Sequence, residues 1–200
     1  MKRLLLTTCA ALGLATGAHA SLIPVLDSVI PVGTEFEFSY SGTLAGDQGL
    51  IPGSELIIFD FLGYVAGSIT PGAYGPDLSA FTELTSPLPP PPGEDDDPTI
   101  LNLVFRWTGS PFQVAGGPYP DLDFSGLTAR STYGGVGVDG YAAKTVTNNG
   151  KAAGLLAFNS GEVGVPTTVP EPATWAMLIL GFGGAGLTLR LRRRRLTTFV

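Results

Sequence analysis

The sequence predicts an all-β fold: an antiparallel β-sandwich or jelly-roll-like ectodomain, followed by a single C-terminal transmembrane helix. Three observations predict it. The chain of 200 residues holds 28 glycines, 17 prolines, 11 phenylalanines and 6 tyrosines, a mixture that favours turns and pleated strands over helices. Between residues 21 and 170 no stretch of a dozen residues carries a helical apolar period, while short alternating or continuous apolar runs recur between turn signals. Beyond residue 170 the pattern changes to one long apolar run that stops at a cluster of arginines.

The strands follow in order. From Thr34 to Tyr40 the chain alternates strictly, with Thr34, Phe36, Phe38 and Tyr40 on one face and Glu35, Glu37 and Ser39 on the other. This is the mark of a half-buried strand. Glu55–Phe61 (ELIIFDF) and Thr99–Trp107 (TILNLVFRW) are more continuously apolar and read as core strands, the second with Ile100, Leu103, Phe105 and Trp107 inward. Tyr141–Thr147 and Lys151–Phe158 flank Asn148-Asn149-Gly150, a hairpin signal because Asn and Gly tolerate positive φ. Shorter candidates are Tyr64–Ile69, Leu122–Ala129 and Val163–Val169. About eight to ten strands result. A mixed α+β domain with a short helix near Leu78–Leu84 is the alternative. Ser86–Pro98 (SPLPPPPGEDDDP) reads as an exposed, extended insertion loop, and Val163–Pro170 as a stalk.

Charge and residue inventory exclude several chemistries. Residues 21–170 hold 16 Asp and Glu against four basic residues, Arg106, Arg130, Lys144 and Lys151, for a net charge of −12. Such a surface disfavours nucleic acid. The single Cys is Cys9 and the single His is His19. Residues 21–170 therefore cannot form disulfides, Cys/His zinc sites, Cys-His nucleophiles or a Ser-His-Asp triad. No cofactor and no catalytic residues are expected.

The two ends read as address labels. Lys2 and Arg3, the apolar run Leu4–Ala15 and the small-x-small site Ala18-His19-Ala20 predict a signal peptide over residues 1–20, handled by the Sec translocon and signal peptidase. The domain proper is expected over 21–168. The run Ala173–Leu189 is long enough to span hydrocarbon when snorkelling flanks are counted, with Trp175 as an interfacial anchor. Arg190, Arg192, Arg193, Arg194 and Arg195 lie on one side only, so the positive-inside rule places them in the cytoplasm and the domain beyond the inner membrane. Gly181–Gly186 matches GxGxxG, but it follows no strand and lies within the apolar run, so it is not a nucleotide loop.

Pro170-Glu171-Pro172, then Trp175-Ala176, the glycine-rich apolar run and the arginines resemble the PEP-CTERM sorting signal in its PEPxxWA variant. The resemblance covers residues 169–195. It implies an exosortase substrate of a Gram-negative bacterium. The protein would be anchored in the inner membrane, cut near Pro170-Glu171-Pro172, and released to the cell surface or extracellular matrix. Thr43–Ile69, NLVFRWTG and GGPYPDLDFSGL also resemble extracellular proteins bearing such tails, and imply no activity.

Within the domain, Glu94, Asp95, Asp96 and Asp97 are candidate Ca²⁺ ligands, with Asp121 and Asp123 as further donors. The run lacks EF-hand spacing, so a solvated acidic loop is the simpler expectation. Gly135–Gly140 (GVGVDG) is a second GxGxxG, here leading into a strand-like run and read as a glycine-rich turn. Tyr119 or Trp107 could stack on sugar rings. Alternatives to a non-catalytic surface protein are therefore a carbohydrate- or calcium-binding module, with extracellular polysaccharide as partner, and less strongly a glycoside hydrolase using two carboxylates.

Overall fold

The computed structural model describes residues 22–168 and 178–183. The described chain is built of antiparallel strands in two sheets. The first, in the order β1-β2-β8-β5, contains Leu22–Val32 (β1), Glu35–Leu44 (β2), Thr70–Pro71 (β5) and Leu122–Ser131 (β8). The second, in the order β10-β9-β4-β7-β6, contains Glu55–Ile58 (β4), Leu78–Glu83 (β6), Asn102–Trp107 (β7), Gly135–Thr147 (β9) and Leu156–Thr167 (β10). Gln48–Gly49 (β3) pairs with the end of β9.

The facing sides of the two sheets share one core. The alternation seen in the sequence puts Phe38, Tyr40 and Leu44 of β2 inward, in register with Ala129, Leu127 and Leu122 of β8. Leu56, Ile58, Leu103, Phe105, Tyr141, Val163 and Val165 meet them from the second sheet. Phe38 and Phe61 pack edge to face with centroids 5.5 Å apart, the arrangement their ring quadrupoles favour. The hydroxyl of Tyr40, which is fully buried, donates to the carbonyl of Gly164 at 2.9 Å and so ties the first sheet to the last strand of the second.

β4 and β7 are buried on both sides, which explains their continuous apolar runs. Ile57, Phe59, Val104 and Ala142 form a second cluster on the far side of the second sheet, covered by Leu88 of the proline-rich loop. That loop was expected to be exposed. Most of it is exposed or half-exposed, but Leu88 and Pro91 are buried, Leu88 at 7 % exposure, because the far side of the sheet is too apolar to face water.

Other expectations are corrected. Leu78–Glu83 is a strand on the sheet edge, not a helix; its propensity is weak, and pairing with β7 decides its state. Lys151–Leu155 does not join a hairpin strand. A 3-10 turn at Gly150–Ala152 precedes β10, and of the two turn residues only Gly150 takes positive φ, at 59°. Tyr64–Ile69 contributes one bridge, Tyr64 to Ser131, and the strand lies just beyond it. β1 escaped the sequence because Pro24, Asp27 and Pro31 interrupt its apolar pattern; proline is tolerated there because the strand is at a sheet edge.

The expected stalk is the largest correction, while the strand candidate over the same residues, Val163–Val169, is found in β10 as far as Thr167. β10 pairs with β9 without a break from Leu156↔Val146 to Thr167↔Gly135, and Val163 and Val165 lie in the core. The fold thus extends to Thr167, because burying two valines and completing the ladder outweighs the freedom of a tether. The signal peptide and most of the predicted transmembrane run lie outside the described residues. Residues 178–183 are helical, with Leu178, Ile179, Leu180 and Phe182 exposed. Among the described residues no helix is long and apolar enough to cross a membrane.

Candidate functional site

Three regions of the domain concentrate charge or lead toward the predicted sorting segment. The first is a row across the outer side of the second sheet. Register places Ser79, Arg106, Glu55, Lys144 and Phe158 side by side on five neighbouring strands. Glu55, with its side chain 1 % exposed, receives Arg106 Nε on Oε2 at 2.7 Å and Lys144 Nζ on Oε1 at 2.6 Å. Arg106 also stacks over Phe81, 4.8 Å from the ring centroid. Two cations flanking one buried carboxylate, each held by a strand ladder, satisfy the charge that burial would otherwise penalise. Both carboxylate oxygens are engaged, so Glu55 is occupied as a structural clasp and is not free for acid–base work.

The second region is acidic. The proline-rich loop brings Glu94, Asp96 and Asp97 over one end of the second sheet, beside Asp60 and Asp139. Asp96 accepts hydrogen bonds from the Ser86 N–H and from Asn102 Nδ2, each at 2.9 Å. Asp97 accepts from the Thr99 N–H and hydroxyl, and these bonds lower its pKa. Burial pushes the Asp60 carboxyl up to about 6, with the charges of Asp139, Asp96 and Asp97 adding to the rise. Burial likewise raises Asp139 and Glu94, the latter further raised by Asp139 and Glu162. Of the predicted candidates, Asp96 and Asp97 therefore turn to loop-closing bonds, whereas Oε2 of Glu94 is buried without a hydrogen-bond partner among the described residues. Among the described residues no group of three or more acidic side chains is arranged to hold a metal ion. Asp121 and Asp123 lie elsewhere, receiving the Gly46 N–H and the Thr43 hydroxyl.

The aromatic candidates fare differently. Trp107 is buried and its indole N–H donates to the Ser110 carbonyl at 2.9 Å. Tyr119 is partly exposed, with its hydroxyl donating to Ala115 O. Phe158 was overlooked: its side chain stands exposed on β10 beside a groove of about 330 Å³ lined also by Leu88, Pro89 and Ser160. Its place in an outward-facing position was not legible, because the start of β10 was set too early in the chain.

The third region is the end of β10. Thr167 pairs with Gly135, and GVGVDG, expected as a turn, forms the first half of β9. Pro170, Glu171, Pro172, Trp175, Ala176 and the five arginines lie outside the described residues, but their distance from the domain is set by sequence: two residues separate Thr167 from Pro170. The arrangement defines a class, an all-β domain whose last core strand leads almost directly into a Pro-Glu-Pro segment, an apolar run and a basic cluster. The family model of the PEP-CTERM protein-sorting motif matches residues 168–195, and the chain carries that motif. No curated protein and no solved structure matches the chain. The motif implies an exported protein, held at the membrane before processing, with exosortase as its processing partner.

Proposed function

We propose that this chain is a surface or extracellular-matrix protein, cut by exosortase near Pro170-Glu171-Pro172, whose β-sandwich domain is non-catalytic. The observation that carries the reading is the PEP-CTERM motif at residues 168–195, adjoining a fold that ends at Thr167. In this reading residues 1–20 are a signal peptide removed after Sec export, and Ala173–Leu189 stops transfer as a single transmembrane helix. Arg190, Arg192, Arg193, Arg194 and Arg195 hold the cytoplasmic side. Pro170 and Pro172 cannot continue a helix outward, so the segment offers extended backbone to the enzyme at the outer interface. Trp175 and Ala176 complete the recognised pattern.

Replacing Pro170-Glu171-Pro172 by three alanines is expected to trap the full-length chain in the inner membrane. Intact mass of membrane and extracellular fractions from the exporting host checks this. Release of the substituted chain at the parental rate would refute the assignment. A parental species beginning at Ser21 and ending near residues 170–172 would support it.

A further inference from the structure

We propose that the ribbon formed by the first half of β9 and the last half of β10 is a second contact surface for the enzyme that cuts the sorting motif. The proposal rests on the sorting function above and adds a surface within the folded domain.

Three observations carry it. The first is distance. Five residues, 168–172, separate Thr167 from the end of the Pro-Glu-Pro segment, and even fully extended they reach only ~18 Å. A folded protein of even a hundred residues has a radius of gyration of about 13 Å. An enzyme whose active site reaches this segment is therefore brought against the end of β10. The second is an open edge. β9 is paired with β10 along its whole length, but on its other side β4 reaches only Tyr141–Lys144 and β3 only Val146 and Thr147. The Phe59 N–H reaches Gly140 O at 3.0 Å. From Gly135 to Asp139 that side of β9 has no strand partner among the described residues, and open strand edges accept an added strand.

The third is composition. Val136 and Val138 on this stretch are 54 % and 66 % exposed, opposite Pro166 and Gly164 of β10. An apolar pair on an unpaired edge is unusual in a domain with a net charge of −12, since edges are commonly protected by charge. The GVGVDG run thus has a use: glycines keep the edge uncluttered while the two valines supply side-chain contact. The occupant is an integral-membrane enzyme presenting an apolar strand or loop, rather than the bilayer itself, because Glu162 and Asp139 border the valines and an acidic border disfavours anionic lipid.

The test uses the full-length chain in an exporting host that contains exosortase, with conversion to the released form followed by pulse-chase. The double variant V136S/V138S is expected to slow release by about tenfold, the consequence of losing two contact side chains. Its isolated domain should melt as the parent does, since both side chains face solvent. A flexible spacer of about four Gly-Ser residues between Thr167 and Thr168 should slow release as well, by moving the enzyme off the ribbon. Parental release rates for both variants, with the three-alanine motif variant still trapped, would overturn the ribbon and leave the sorting function standing. Free release of the three-alanine variant would instead remove the sorting function, and the ribbon proposal with it.

Discussion

Glu55 shows how a charged residue at the start of a core strand comes to be buried. In ELIIFDF its charge marks the start of a core strand, and the sequence offers no reason to bury it. The ladder supplies the reason by setting Arg106 and Lys144 on the two neighbouring strands. Replacing Glu55 with alanine leaves two cations without their anion. The expected loss is about 3 kcal/mol, the low end for a broken buried pair because both cation heads retain access to water; urea denaturation of residues 21–168 checks it. Asp60 gives a second prediction. Its pKa, pushed up to about 6 by burial and neighbouring carboxylates, exceeds the ~3.9 of an unfolded aspartate. The folded state therefore binds the proton more readily, and this contribution to stability is full below about pH 4 and lost as pH rises through about 6. Raised values at Glu94 and Asp139 act in the same direction. The Asp60→Asn domain is expected to melt higher than the parent at pH 7 and to show a flatter pH dependence between 4 and 7, as measured by thermal scans.

At the scale of elements, the proline-rich loop and β10 both do more than their sequences suggest. Four consecutive prolines and four acids describe a solvated loop, yet Leu88 among them closes the second apolar cluster. Leu88→Ala is expected to cost about 2 kcal/mol, near the low end for a buried leucine because the site lies at the rim of its cluster. β10 is read in the sequence as separate pieces, a hairpin strand over Lys151–Phe158 and, over Val163–Val169, a short strand candidate that also serves as the stalk. It is one strand of twelve residues whose second half carries Val163 and Val165 into the core. Residues 21–168 should thus give a cooperative melt and a β-type circular dichroism spectrum. Residues 21–161 should give neither, because the cut removes both valines and opens the sheet. A folded 21–161 fragment would contradict the place given to β10.

For the whole molecule, the domain and the sorting segment meet with almost no chain between them. The proposed cut near residues 170–172 would leave every strand of the described domain intact, since the ladder ends at Thr167. In the proposed reading, the domain that would be released is the domain that was folded before release. The same closeness underlies the proposal that the processing enzyme meets the β9–β10 ribbon.

The sequence by itself determined the all-β class, the inward faces of β2 and β7, and the sorting motif, because each rests on local order: period-two alternation, continuous apolar runs, and a fixed succession of Pro-Glu-Pro, Trp-Ala and arginines. Only the tertiary structure decided which edges pair, that β1 and β6 are strands, that Glu55 and Leu88 are buried, and that no stalk separates domain from motif. Those features depend on partners elsewhere along the chain, which local order does not reveal. A lone proline, a buried acid or a glycine-rich run carries no mark of the strand that will lie beside it.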